Sequence, residues 1–421
     1  MLENYYTKPA TLDRIQDCWL GKSIEQYVSW LAENKYSRSS VQRRIPVLMH
    51  FAEYSWKQGA RTAADLPALV DAFVGNWIAT RRRKGRTKDA KRSIAAVARV
   101  PVEQLLTLLI PEFDGHRRSR LELPFNDTAP GFIDYLNLER GLSKASIVVY
   151  THNIRRFEKY LEKICLSDLQ TLTPAVLSAY ITDCSQSLGK NAISGACTQL
   201  RVFLKFLYRE DFQSTDLSSS VDCPRLYRLS SVPRSISWED VQKLLDSVDQ
   251  RSAVGKRDYA MLMLLVTYGL RAREVATMTL DDIDWTHERL SIPDRKAAHN
   301  TAFPLTEAVG EAIVEYLCHS RPESDERAVF LCAVAPFKAV DYSVISVRTA
   351  HCLRKAGIAV SRAGSHTLRH TCVRRLVNSK IPLKAIGDFI GHRSPKSTEI
   401  YTKIDIEGLR EVAMGDGEEV K

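Results

Sequence analysis

The chain has 421 residues, 60 Lys+Arg against 50 Asp+Glu, 44% hydrophobic and 26% charged. This is the balance of a folded protein of about two to four domains, and it excludes disordered and fibrous classes. The longest apolar stretch, Tyr259 to Leu270, falls short of the ~20 residues that span a bilayer. No membrane partner is expected.

The start, Met1-Leu2-Glu3-Asn4-Tyr5-Tyr6, lacks the basic and apolar regions of a secretion signal. Nine scattered cysteines with no C-x-x-C pair disfavour a disulfide framework or a zinc ribbon, so a cytoplasmic location is expected. The positive charge is uneven. Residues 1–120 hold 21 Lys+Arg against 12 Asp+Glu, and residues 121–421 hold 39 against 38.

In chain order, residues 1–112 read as a helical domain. Tyr27-Val28-x-Trp30-Leu31 has helical spacing, and Ser37 can cap the helix that carries Phe51 and Tyr54. Arg81, Arg82, Arg83, Lys84 and Arg86 follow. Such a run attracts a polyanion or forms a solvated linker. A connector is predicted over Pro111 to Asp127, with the cluster His116-Arg117-Arg118-Ser119-Arg120.

Residues 125–212 read as a second helical domain. Phe132-Ile133-x-Tyr135-Leu136 precedes Ser143, Phe157 and Tyr160, which have the mutual spacing of Ser37, Phe51 and Tyr54. The two segments are a degenerate repeat or two unrelated pairs of similar amphipathic helices. Phe212 to Ser237, with Ser218-Ser219-Ser220, Pro224 and Pro233, reads as an extended linker.

The segment 237–421 is mixed. Ser237-Trp238-Glu239-Asp240 starts a helix, a buried helix is predicted over Asp258–Tyr268, and Asp284–Leu305 reads as a small sheet or hairpin. Further helices are predicted near Val344–Ala356, Thr367–Asn378, Leu383–Ile390 and Lys396–Tyr401.

Four islands in this segment carry chemistry together. They are Gly269-Leu270-Arg271-x-x-Glu274, Asp294-Arg295-Lys296, His366-x-Leu368-Arg369-His370, and Gly391-His392 with Tyr401 nine residues further on. Glu274 sits at helical spacing from Arg271 and can hold it. Taken singly, Arg271 with Glu274 is an ordinary ion pair, Lys296 a solvated charge and Tyr401 a packed aromatic. His366 and His370 have metal-binding spacing, but no catalytic Glu lies between them. Together, fixed Arg and His donors can stabilise a phosphodiester transition state. A phenol can attack the phosphorus, and a lysine can protonate the leaving oxygen.

In this order and at these intervals, the islands resemble the tyrosine recombinase (phage integrase) family of site-specific DNA recombinases. The resemblance implies a mainly α fold with a small β-sheet in the C-terminal catalytic domain, in a C-shaped clamp around DNA. It implies a core-binding domain at 125–212, supported by Leu142-Ser143-x-x-Ser146 and Phe157-x-x-Tyr160. An inter-domain linker follows at 213–236, with Arg225 and Arg228, and a catalytic domain at 237–421. Residues 1–112 would be an additional DNA-binding or assembly domain.

By the same resemblance Tyr401 is the nucleophile, forming a 3′-phosphotyrosyl bond. Arg271 and Arg369 hold the non-bridging oxygens, Lys296 is the general acid, and His366 and His392 assist with hydrogen bonds. Glu274 supports Arg271. The family commonly has glycines around its lysine, where this chain reads Asp294-Arg295-Lys296-Ala297. No metal or cofactor and no ATP are implied, because the phosphotyrosine conserves the bond energy. DNA contacts are expected from Arg81, Arg82, Arg83, Lys84, Arg86, Lys144, Lys190, Arg201, Lys205, Arg225 and Arg228.

The implied partners are double-stranded DNA with specific recombination sites and further copies of the chain. These would be a dimer per site and a tetramer in synapsis, with accessory recombinases or directionality factors. The expected role is integrase or transposase of a mobile element. The alternatives are a chromosome or plasmid resolvase, a type IB topoisomerase-like enzyme and a catalytically silent DNA-binding protein.

Overall fold

The computed structural model describes residues 2–6, 8–80, 88–111, 113, 123–225, 234–293 and 301–391, with 88–91 described by backbone alone. The contacts divide the chain into two compact units, Met1–Leu109 with Ser231–Lys421, and Ile110–Ser230. The fold is mostly helical with one small sheet, as the sequence predicts. No described helix is long and apolar enough to cross a membrane.

In the N-terminal residues, helices α1 (Pro9–Gln16), α2 (Gly21–Glu33), α3 (Arg38–Lys57), α4 (Val70–Thr80) and α5 (Lys88–Leu109) follow one another. The core faces of α2 and α3 bury Ile24, Tyr27, Val28, Leu31, Val41, Leu48 and Phe51 at three- and four-residue spacings. Pro46 lies inside α3 and removes the hydrogen bond that the Gln42 carbonyl would accept. The Tyr6 hydroxyl donates to that carbonyl instead, at 3.4 Å.

In the second unit, a short turn α6 (Phe132–Asp134) runs into a π-helical turn, followed by α7 (Lys144–Lys163), α8 (Pro174–Ser185) and α9 (Lys190–Arg209). Phe125, Phe157, Tyr180, Leu200, Phe203 and Leu207 are among the residues of its core. The chain does not turn into a free connector at Phe212. Leu217 and Val221 are buried in the same core, and the Gln213 amide donates to the Leu169 carbonyl at 3.2 Å. Apolar residues spaced by four hold this segment down although the serines around them read as linker.

The C-terminal residues form a third core. Helices α10 (Trp238–Asp246), α11 (Ala253–Tyr268), α12 (Ala272–Thr277), α13 (Glu307–His319), α14 (Tyr342–Lys355), α15 (Ser365–Asn378) and α16 (Leu383–Ile390) accompany a three-stranded antiparallel sheet. The strands are β1 (Ile283–Asp284), β2 (Arg289–Ile292) and β3 (Thr301–Pro304), with Leu290 paired to Ile283 and to Phe303. Leu290, Ile292 and Phe303 point inward while Arg289, Ser291 and Ala302 stay exposed, the two-residue period of a half-buried strand.

Helix α11 is buried nearly all round and runs from Ala253, earlier than the predicted Asp258, because the Ser252 side chain caps it by accepting from Gly255 N at 3.0 Å. Helix α13 has no counterpart among the predicted elements. Its buried Val309, Ala312, Ile313 and Tyr316 nevertheless follow helical spacing. Helices α14, α15 and α16 match their predicted spans within two residues. The helix predicted at Lys396–Tyr401 lies outside the described residues.

Candidate active site

Two helix ends build the site. Helix α11 stops at Gly269, whose left-handed φ of 59° turns the chain, so that Arg271 becomes the N-cap of α12. A Cβ at position 269 would sit 3.2 Å from the Cys372 sulfur, so both conformation and space favour glycine there. Helix α16 stops in the same way at Gly391, with φ 66°. These two glycines stand just before Arg271 and His392 in the sequence.

Arg271 is held at both ends. Its backbone N–H donates to Glu274 Oε2 at 2.8 Å, and Nη1 donates to Glu274 Oε1 at 2.7 Å. Nη2 donates to the Gly391 carbonyl at 2.9 Å. The Glu274 side chain is 9% exposed and that of Arg271 25%, so the carboxylate anchors a guanidinium that still reaches solvent. The ion pair read from the sequence therefore exists and has a third partner, the end of α16.

Arg369, on the first turns of α15, is 4% exposed. It donates through Nη1 to the Gly269 carbonyl and through Nη2 to the Ile390 carbonyl, the latter at 2.7 Å. Two guanidinium groups thus clamp the C-terminal end of α16. Carbonyls at a helix C-terminus carry partial negative charge and suit cations. These backbone acceptors are the part of the site that sequence reasoning missed, and the two helix-ending glycines are the only signal for them.

His366 begins α15. Burial of its ring, and the positive charges of Arg369 and then Arg271, push its pKa below the ordinary 6.5. The imidazole therefore senses both guanidinium groups, which places all three side chains in one positive field. That field suits an anion, and Arg271 has side-chain donors beyond the two that Glu274 and Gly391 engage.

His370, one turn on, is pushed down to about 4 by burial and by the charges of His366, Arg369 and Arg234. An unfolded chain binds this proton below pH 6.5, whereas the folded chain resists it. Stability is therefore expected to fall as pH drops from 6.5 toward 4. Urea midpoints at pH 7 and pH 5 check this, and His370→Gln should narrow their difference. An unchanged gap in that variant would assign the effect elsewhere.

Lys296 falls between β2 and β3, and it, His392 and Tyr401 lie outside the described residues, as do Arg81, Arg82, Arg83, Lys84, Arg86 and Arg228. Lys144 and Lys190 are exposed at the first positions of α7 and α9, and Lys205 and Arg225 are also exposed. Arg201 is half-buried, and its Nη2 donates to the Val221 carbonyl at 2.7 Å. It braces the packed tail of its unit.

The family model described as the phage integrase family matches residues 234–407, and the phage integrase N-terminal SAM-like domain matches 130–211. A putative integrase/recombinase of Sinorhizobium fredii is 30% identical over 395 residues, covering 93% of both chains. Tyrosine recombinase XerD of Corynebacterium glutamicum is 28% identical over 305 residues, covering 68% of this chain and 96% of its own. The fold is similar to that of the XerH site-specific recombinase in its post-cleavage complex with palindromic difH substrate. The TM-score is 0.54 at 15% identity, over 84% of this chain and 96% of that one. The motifs, the mostly helical fold with its small sheet, and a full-length relative above the level of chance agreement all converge: the chain belongs to the tyrosine recombinase (phage integrase) family of site-specific DNA recombinases.

Proposed function

We propose that the chain cuts and rejoins DNA strands at specific sites through a covalent bond between Tyr401 and a 3′-phosphate. The observation that carries this is the clamp at the end of α16. Arg271 and Arg369, distant in sequence, bind the carbonyls of Gly391 and Ile390, directly before His392. They would turn their positive charge on the non-bridging oxygens of the scissile phosphate.

The Tyr401 hydroxyl passes its proton to a neighbouring imidazole, His366 or His392, and its oxygen forms the new P–O bond as the bond to the 5′-oxygen breaks. Lys296 gives its proton to that oxygen, and His366 and His392 donate hydrogen bonds to the phosphate. Attack by a 5′-hydroxyl reverses the step and reseals a strand without ATP. Residues 237–421 would be the catalytic domain and 125–212 the core-binding domain. Lys144, Lys190, Lys205 and Arg225 would meet the DNA backbone, along with Arg228 and the run Arg81 to Arg86. Two protomers would occupy one site and four would join two sites.

The role is that of integrase or transposase of a mobile element, supported by the full-length relative named a putative integrase/recombinase. The likeness to XerD keeps resolution of chromosomes or plasmids as the alternative. Nicked duplexes tiled across the DNA that flanks the gene test the chemistry. A covalent adduct is expected on some duplexes, with the modified peptide carrying Tyr401. An adduct on another residue, or none on any duplex, overturns the assignment. Two-site plasmids then test the role: relaxation without recombinants would mark a nicking-closing enzyme.

A further inference from the structure

We propose that residues 20–109 are a second copy of the helical module at 125–221, and that this copy binds double-stranded DNA through Arg38 and Arg43 on the first turns of α3. The proposal rests on the reading that the module at 125–221 meets DNA.

The duplication is visible in the backbone at an offset of 106 residues from Ser37 to Asp65. Helices α3 and α7 are both 20 residues long. Ser37 Oγ accepts from Ser40 N at 3.4 Å, and Ser143 Oγ accepts from Ser146 N at 3.3 Å. After each helix the chain returns by the same bond, Ala60 N to the Ser55 carbonyl and Leu166 N to the Leu161 carbonyl, both 3.0 Å. The next turns also agree, with Asp65 N on the Thr62 carbonyl and Thr171 N on the Asp168 carbonyl, at 3.3 and 3.2 Å.

The side chains repeat as well. Phe51 meets Phe73 edge-on at 5.1 Å, and Phe157 meets Tyr180 edge-on at 4.9 Å. Tyr54 and Tyr160 flank the same two rings at 5.6 and 5.3 Å. The return bond is a common helix end, seen also from Ile358 N to the Leu353 carbonyl, but two unrelated helices need not place their caps, returns and following turns at one offset.

The differences between the copies point to a polyanion. Residues 125–221 hold 10 Lys+Arg and 10 Asp+Glu, whereas residues 20–109 hold 16 against 7. Helix α7 exposes Val148 and Val149, 67% and 49% accessible. The matching positions in α3 are Gln42, whose amide donates to the Tyr5 carbonyl at 2.8 Å, and the exposed Arg43. Arg43 Nε donates to the Ser39 carbonyl at 3.2 Å, which brings its guanidinium back over the turn that Arg38 opens. Among the described residues neither arginine is ion-paired. An exposed apolar position in one copy is thus cationic in the other, near a helix N-terminus where the helix dipole adds positive potential. Such a surface favours phosphates over an apolar protein face.

The test uses the full chain with Arg38→Glu and Arg43→Glu together, on a long fluorescein-labelled duplex of mixed sequence. Removing two phosphate contacts should flatten the dependence of log K on log salt by about 2. Arg38→Lys with Arg43→Lys should keep the wild-type slope. Adduct formation on a nicked site is scored separately, so a missing adduct would speak against Tyr401 chemistry and not against this surface. A wild-type slope in the Glu variant overturns the proposal. So does loss of self-association in sedimentation with DNA affinity intact, which would make the turn a protein contact. If the Glu variant does not fold by circular dichroism, Arg38→Gln with Arg43→Gln reads the same slope.

Discussion

Arg369→Ala is expected to slow strand cleavage by about 10²–10³-fold, the effect of removing one preorganised donor from a developing oxyanion, roughly 2.7–4 kcal/mol. The structure adds a second consequence. Arg369 is buried and bonded to the carbonyls of Gly269 and Ile390. Its removal leaves two acceptors without their donor, at a cost of about 1–3 kcal/mol each where water cannot replace it. Single-turnover cleavage and denaturant midpoints should therefore both fall. Arg369→Lys keeps the charge but offers one ammonium where a planar fork spans two carbonyls, so it should recover little. Cleavage near the wild-type rate in the alanine variant would remove Arg369 from the phosphate site.

Asp258→Ala should produce a large loss of stability. Asp258 is 2% exposed. Its Oδ1 accepts from Arg257 Nη2 at 3.0 Å, and its Oδ2 accepts from Arg348 Nε at 2.6 Å. The Arg257 side chain is itself only 6% exposed and also donates to the Leu331 carbonyl at 3.0 Å. Removing the carboxylate strands a buried guanidinium, which typically costs about 3–5 kcal/mol. The denaturation midpoint of the full chain should drop accordingly, and replacing Arg257 and Asp258 together by apolar residues should cost less than the single change. A midpoint within error of wild type would mean that water reaches the cluster. Because α11 ends at Gly269, this cluster also fixes the helix that aims Arg271.

The motifs of the proposed site are legible in the chain because the chemistry proposed for them demands particular residue types at particular intervals. Arg271 with Glu274, His366 with Arg369, and Gly391-His392 stand out without any structure. The pairing of β2 with β3 and helices α14 to α16 are legible for a simpler reason, since a two-residue or 3.6-residue hydrophobic period is local. Helix α13 carried the same period, in Val309, Ala312, Ile313 and Tyr316, and is recognised only once its buried face is seen.

Other features depend on residues far apart in the chain. The Ser-rich stretch after Phe212 reads as linker, yet Leu217 and Val221 enter a core made by α7 and α9. Arg201 reads as one cation among several, and its bond to the Val221 carbonyl sets it apart.

By itself, then, the amino-acid order determined which residue types stand at the intervals of the proposed site, and which local periods make helices or strands. Only the tertiary structure decided that the guanidinium groups of Arg271 and Arg369 close on the last carbonyls of α16, and that Asp258 joins two arginines from different helices. Those acceptors are backbone atoms or distant partners, and a backbone carbonyl looks the same in every residue until the fold brings it to its donor.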